Sequence, residues 1–391
     1  MRFGLFYEHQ LPRPWGEDDE WRLLQDSLDQ IELADRLGFD YVWEVEHHFL
    51  EEYSHSSAPE VFLAAASQRT KQIRLGHGII QLTTNHPARV AERVATLDLV
   101  SNGRVELGIG EGSSVTELHP FDRRFRDKRE IWEDAVRALI PMFTEEGWEY
   151  EGKWFQFPLR NVVPKPRQKP HPPLWVACSQ LETIVMAGTR GLGALGFQFV
   201  SAEAAEAWVH AYYNAFINHL EPLAAYQTNP AIAVVSPFMC AATDEEAQQR
   251  ADGWSFFQFS LGFYNTHGPV APGTVNLWDE YQAWKAEKGA GLAGSGLIGS
   301  PETLRRRLRK FEETHIDQVI LLGQAGRNTH EHICESIELF AAEVMPEFVE
   351  REPEHQQWKR DVLAGDITLE DIDTAPYWRP TNQTPTKAAA T

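Results

Sequence analysis

Gly38-Phe39-Asp40-Tyr41-Val42-Trp43-Glu44-Val45-Glu46-His47-His48-Phe49 carries three signals in a row. Gly38 follows a helical pattern over Glu20–Leu37, where a left-handed C-cap suits glycine. Tyr41–Val45 is a short β-branched and aromatic run of the kind that forms a buried strand. The run then ends in an acid and two histidines. A helix feeding a buried strand with chemistry at its end is one step of a βα architecture.

The same step recurs along the chain. Strands are expected at Arg2–Tyr7, Tyr41–Val45, Ile73–Leu82, Arg104–Ile109, Leu174–Ala177, Ala194–Phe199, Ala231–Ala241 and Gln318–Leu322. Helical patterns follow at Glu20–Leu37, Glu60–Gln68, Pro87–Val100, Lys128–Met142, Glu182–Gly188, Ala202–His219, Asp244–Arg250, Pro301–Thr314 and His330–Phe348. A doubly wound sheet also alternates, but eight strands favour closure into a (β/α)₈ TIM barrel with insertions. Pro87 and Pro301 suit first helical positions, where no N–H is needed. Glu145–Pro173 is read as a hairpin insertion, and Gly253–Gly299, rich in Gly and aromatics without a clear period, as a lid near the mouth. The expected organisation is one barrel over 1–350, with that lid at 253–299, and a polar extension over 351–391. The extension's end is expected to be disordered, with Trp358, Tyr377 and Trp378 able to dock on the body or on a second subunit.

Composition narrows the class. The 391 residues are 42% hydrophobic and 24% charged, as in an ordinary globular protein, with net charge −21. That charge disfavours nucleic acid and anionic membrane as partners. No apolar run of about eighteen residues occurs, so no transmembrane helix is expected. Cys178, Cys240 and Cys334 are far apart, without metal or disulfide spacing, which fits a reducing cytoplasm.

In barrels the chemistry sits at the C-terminal ends of the strands. Glu46-His47-His48 ends the second strand. An imidazole there can donate or accept a proton near neutral pH, and an adjacent carboxylate can hold its tautomer. A partly buried histidine satisfied by a backbone carbonyl is the alternative. Neighbouring histidines point to opposite sides, so one is read as catalytic and the other as structural. Zinc held by His47, His86, His119 and Glu111 is a further option, but no metal-type spacing supports it, and no metal is expected. Gly108-Ile109-Gly110-Glu111-Gly112 ends the fourth strand; its glycines suit close approach to a flat or anionic ligand, or simply a tight turn. Ser179-Gln180-Leu181-Glu182 reads as a capping box, and the same helix start is a ready anion site. Gly76 and Gly78 inside the third strand mark a bulge or a close backbone contact.

These residues resemble the luciferase-like flavin-dependent monooxygenases, among them the alpha subunit of bacterial luciferase. The resemblance rests on Arg2-Phe3-Gly4-Leu5-Phe6, Gly38–Trp43, Glu46-His47-His48-Phe49, His86-Pro87-Ala88-Arg89, Leu97–Arg104 and Val344-Met345-Pro346, in the family's order from about residue 2 to 350. It implies a bacterial-luciferase-like barrel, reduced FMN, dioxygen, and a homodimer packed through the helices after strands 1 to 3. It implies that His47, with Glu46 orienting it, supports a C4a-peroxyflavin. It places a non-proline cis peptide at Gly78-Ile79 against the flavin ring, and the phosphate at Cys178, Ser179, Glu182 and Thr183. Gly110, Glu111 and Gly112 fall beside the cofactor.

Three departures stand out. Glu111 occupies the place of the family's phosphate-binding arginine, and a carboxylate repels phosphate; Arg123, Arg124 or Arg190 could replace it. Gly110 stands for luciferase's cysteine, and Gln198 stands near the place of a tryptophan. The function expected is oxygenation of a small, largely apolar substrate, with reduced FMN from a separate reductase, since no Gly-x-Gly-x-x-Gly opens a helix after the first strand. A deazaflavin-dependent dehydrogenase using Glu111 and His47 is the runner-up, and a non-catalytic flavin-binding or partner subunit the third reading.

Overall fold

The computed structural model describes residues 1–197, 200–267, 269–288, 296–370 and 372–377. Its strands are β1 (Arg2–Tyr7), β2 (Tyr41–Glu44), β3 (Arg74–His77), β4 (Ile80–Gln81), β5 (Val105–Gly110), β6 (Trp148–Glu151), β7 (Gln156–Arg160), β8 (Leu174–Cys178), β9 (Gly193–Gly196), β10 (Ile232–Cys240), β11 (Leu297–Gly299) and β12 (Gln318–Leu322). The ring runs β1, β2, β3 with β4, β5, β8, β9, β10 and β12, then back to β1, all parallel. This is the closed eight-stranded barrel, with all eight expected strands present. β6 and β7 pair antiparallel, so the 145–173 segment is a hairpin insertion. Phe199, the expected end of the sixth strand, and Gln198 lie outside the described residues.

The helices are α1 (Asp19–Leu37), α2 (Pro59–Arg69), α3 (Pro87–Val100), α4 (Val115–Leu118), α5 (Lys128–Leu139), α6 (Leu181–Arg190), α7 (Ala202–Asn218), α8 (Asp244–Arg250), α9 (Gly253–Thr266), α10 (Leu277–Lys288), α11 (Pro301–Glu313), α12 (His330–Glu343), α13 (Met345–Glu350) and α14 (Glu352–Ala364). Gly38 is left-handed at φ 88°, as a C-cap requires. Two expected helices are shorter than read. Pro141 turns the end of Lys128–Met142 into a 3₁₀ segment, Ile140–Phe143, and Pro346 splits His330–Phe348 at Val344. In both places proline removes a helical N–H and crowds the preceding turn.

Two indoles fill the barrel's interior. Trp43 and Trp175 meet edge to face at 5.3 Å. A Cβ on Gly76 would lie 2.2 Å from Trp43 Cε3, and one on Gly193 would lie 2.4 Å from Trp175 Cε3. Glycine at these positions leaves the rings their room, so Gly76 marks a close side-chain contact.

The 253–299 segment is more regular than its sequence suggests. α9 buries Trp254 and Phe257 against the barrel, and turns Phe256 towards Tyr281 and Trp278 of α10. With apolar surface used on two sides, no single stripe shows in the sequence. Glu52, from the loop after β2, accepts from the N–H groups of Leu277 (2.6 Å) and Trp278 (3.2 Å) at the start of α10. Residues 289–295 lie outside the described ones.

α14 closes the opposite end of the barrel. Glu352 meets the Met1 amino group at 2.5 Å and Arg2 Nε at 3.0 Å. His355 Nε2 and Lys359 Nζ each lie 2.9 Å from Asp317 Oδ1. Trp358 stacks on His315 at 3.9 Å. Trp378 and the tail read as disordered lie outside the described residues.

Candidate active site

At the C-terminal mouth, the ends of β1 and β2 meet the turn after β5. His47 sits between two carboxylates: Nδ1 is 2.8 Å from Glu117 Oε1, and Nε2 is 3.4 Å from Glu8 Oε2. The loop carrying it is pinned by His47 N–H donating to Ser56 O at 2.8 Å. Glu117 lies on the single turn α4, where Ser114 is the N-cap. Its carboxylate also accepts from Gln81 Nε2 (2.8 Å), Ser113 Oγ and Ser114 Oγ (both 2.9 Å). Burial would raise the Glu117 carboxyl, but His47 and these donors hold it down at about 2. Burial would lower His47, but Glu117 and Glu8 outweigh it and hold the imidazole up at about 9. Glu8 goes the other way: burial pushes it up to about 7, against the pull of His47 and of Tyr53 O–H at 3.1 Å.

Glu46 does not orient His47. Its carboxylate accepts from Gln81 N (2.9 Å) and Asn85 Nδ2 (2.8 Å) and sits 3.0 Å from His48 Nε2. Alternation along the chain sends Glu46 and His48 to one side and His47 to the other, so the orienting role falls to Glu117. The sequence reading missed both carboxylates at His47. Glu8 is the first residue beyond β1. Ser114-Val115-Thr116-Glu117 carries a capping signal, with Ser114 as the N-cap.

The phosphate side also changes. Ile109 pairs with Val176, which brings Glu111 and Cys178, two residues on, to one part of the mouth. Glu111 is neutralised there by Arg129 Nε at 2.5 Å and Lys128 Nζ at 3.6 Å, both from the start of α5. Two cations on one carboxylate leave a positive excess. A helix that begins Lys-Arg opposes its own dipole, and that was the overlooked signal. Arg190 cannot serve. It ends α6, roughly 14 Å from the N-terminus of that helix at 1.5 Å per residue, and pairs with Glu133 and Glu221. Arg123 donates to Thr83 O at 2.8 Å.

The capping box is shifted by one residue. Gln180, not Ser179, is the N-cap of α6, and Thr183 Oγ1 accepts from the N–H groups of Ser179 (3.1 Å) and Gln180 (3.2 Å). Ser179 and Glu182 are exposed and Thr183 is half-buried, so they remain open to a ligand. The Cys178 thiol is fully buried, with burial raising it to about 12, and so is not open to a ligand.

Gly78-Ile79 joins β3 to β4, and its peptide bond is trans; the three cis bonds among the described residues all precede proline. Gly78 N–H donates to Glu44 O at 2.6 Å without a cis bond, whose cost is about 3 kcal/mol. Ile79 lies over Gly110, where a Cβ would come within 2.6 Å of Ile79 Cδ1. Gly112 is left-handed at φ 78°. The zinc option finds no support: among the described residues no three His, Cys, Asp or Glu side chains converge as ligands. His86 instead caps α3, accepting from Ala88 N–H at 3.2 Å. No helix among the described residues is long and apolar enough to cross a membrane.

Comparison with known proteins agrees with the barrel fold. The family described as luciferase-like monooxygenase matches residues 1–318. The oxygenase component of flavin-dependent trigonelline monooxygenase from Acinetobacter baylyi is 26% identical over 363 residues, covering 90% of this chain and 96% of that one. Monooxygenase RslO1 from Streptomyces bottropensis superposes with TM-score 0.73 at 24% identity, over 89% of this chain and 100% of that one. The oxygenating constituent of 3,6-diketocamphane monooxygenase from Pseudomonas putida, solved with FMN, gives TM-score 0.69 at 20% identity, over 88% and 98%.

Proposed function

The chain belongs to the luciferase-like monooxygenase family, and from that premise we propose that it uses reduced FMN and dioxygen to oxygenate a small, largely apolar organic substrate. The observation that carries this reading is the clamp of Glu117 on His47 at the barrel mouth. When bound, reduced flavin supplies the electrons that activate dioxygen. Glu117 holds the Nδ1 proton, which leaves Nε2 as the working nitrogen that gives or takes a proton beside the cofactor. Glu46 and His48 fix the adjoining loop. Tyr53 and Phe257, in ring contact at 5.3 Å, shield the mouth from water together with Tyr264.

The residues fit the flavin's phosphate. Arg129 and Lys128 supply charge, Ser179 a hydroxyl, and the start of α6 free N–H groups. Gly78, Ile79, Gly110 and Gly112 offer backbone and an apolar side chain to the ring. The same pairing disfavours the deazaflavin reading, because both Glu111 oxygens are engaged by cations. A relative that is named an oxygenase component supports a separate flavin reductase. Exposed Trp21 and Leu24 of α1, Val61 of α2, and Leu99 and Val100 of α3 support a homodimer through those helices. Three free cysteines suit the cytoplasm. In this reading α9 and α10 form the lid of one barrel domain over 1–350, and 351–391 is its extension.

The deciding experiment mixes the protein with reduced FMN and oxygen. The expected result is oxygen uptake and a transient flavin absorbance whose decay changes with substrate. No uptake, with turnover on reduced deazaflavin, would overturn the reading.

A further inference from the structure

The two carboxylates on His47 are not equivalent. Glu117 has five donors: His47 Nδ1, His48 N–H (3.3 Å), Gln81 Nε2, Ser113 Oγ and Ser114 Oγ. A carboxylate so well solvated by protein stays ionised. Glu8 is almost as deeply buried but has one hydrogen bond, from Tyr53, and its Oε2 has no hydrogen-bond partner. Across a 3.4 Å gap that oxygen faces His47 Nε2. Glu44 and Glu46 of the β2 end and Glu117 of α4 add negative charge around the pair, with His9 Nδ1 2.9 Å from Glu44 and His48 Nε2 3.0 Å from Glu46.

We propose that Glu8 is the proton-holding partner of His47, a positioning residue that exchanges one proton with the Nε2 nitrogen and so sets whether His47 acts as acid or base. This deepens the monooxygenase reading and rests on it. The step is balanced and involves no electron transfer. The N–H bond at Nε2 of the imidazolium breaks, an O–H bond forms on Glu8 Oε2, and a neutral imidazole and a neutral carboxyl remain. The return step restores both charges. Burial favours the neutral pair, because two charges no longer have to be held away from water, while Glu117 on Nδ1 favours the imidazolium. The Tyr53 hydroxyl opposes the neutral pair by stabilising ionised Glu8, and so tunes the balance.

The test is an NMR titration of histidine-labelled, flavin-free protein, with oxygen uptake measured separately. His47 is expected to show two inflections, the lower one near pH 7 reporting Glu8. Glu8→Gln keeps the shape and the side-chain oxygen; it should remove the lower inflection and bring the remaining one down in pH. Tyr53→Phe should move the lower inflection up, which a purely structural role for Tyr53 would not do. A single His47 inflection at the same pH in wild type and Glu8→Gln overturns the proposal. Failure of the monooxygenase reading looks different: the titration stays coupled while oxygen uptake with reduced FMN is absent.

Discussion

His47 Nδ1 lies 2.8 Å from Glu117 Oε1, across seventy positions of sequence. The contact couples the end of β2 to the turn after β5, so it fixes the imidazole and ties the two segments together. Breaking one side of such a buried pair leaves an uncompensated charge, at a cost of about 3–5 kcal/mol. Glu117→Gln should lose stability of that order, with its largest deficit near pH 5–6. His47 is raised in the fold, so its contribution is complete below about 6.5 and is lost as pH climbs through about 9. Glu117 is depressed, so its contribution is complete above about 4.5 and is lost as pH falls through about 2. Urea midpoints at pH 5.5, 7 and 9.5 check this; a deficit that grows towards alkaline pH contradicts it.

Arg129 and Glu111 make opposite predictions for the cofactor. Arg129→Ala should weaken FMN binding by about tenfold while leaving riboflavin, which lacks the phosphate, unchanged. Glu111→Gln frees the same guanidinium and should tighten FMN. Titrations of flavin fluorescence with both ligands read the two effects. Weaker FMN binding in Glu111→Gln would show that the carboxylate itself serves the flavin.

The exposed face of α1 and α2 carries the dimer prediction. Trp21 is 63% exposed and Val61 67%, apolar surface that a second copy would cover. The wild type should sediment as a dimer at micromolar concentration, and Trp21→Glu with Val61→Asp as a monomer. A monomeric wild type removes the basis for that face.

The strands were legible because apolar runs such as Tyr41–Val45 are short and are bracketed by glycine or by charge. His47 was legible because its strand end could be located without knowing the rest of the fold. Its partners were not, because Glu8 and Glu117 reach it only once the barrel has closed. Glu46, the carboxylate adjacent in sequence, points away for a local reason: extended residues alternate sides. α9 and α10 were hidden because aromatic side chains pack on both of their faces. Lys128-Arg129 was visible in the sequence, but its meaning depended on Glu111 lying beside it.

Asp317 ties the far end of the barrel. It accepts from Tyr213 O–H (2.9 Å), Ile232 N–H (2.8 Å), His355 Nε2 and Lys359 Nζ (both 2.9 Å). These partners outweigh burial and hold its carboxyl far below the usual range. Its contribution is present above about pH 3.8 and is lost in stronger acid. Asp317→Asn should cost about 3–5 kcal/mol and expose α14 to protease. FMN affinity should not change, since the five-residue strand β12 separates Asp317 from the mouth by roughly 16 Å. Cleavage within 352–364 at the wild-type rate would show that α14 is held by other contacts.

Gly76 tests whether the interior indoles set the position of the site. Trp43 is fully buried, held between Tyr41 at 5.9 Å and Trp175 at 5.3 Å, so it has no free side to move into. Gly76→Ala places a methyl against its ring and should cost more than about 3 kcal/mol, at the upper end of overpacking penalties. Gly262→Ala on α9 is the control. Nothing lies within 4 Å of its added Cβ, so no overpacking loss is expected. Trp43 and His47 share one strand and its end, so the displaced indole should also lower turnover. Trp43→Phe in the Gly76→Ala background makes room and should recover both stability and rate. Equal losses for the two alanine variants would show that Trp43 yields, and that the indole does not set where His47 stands.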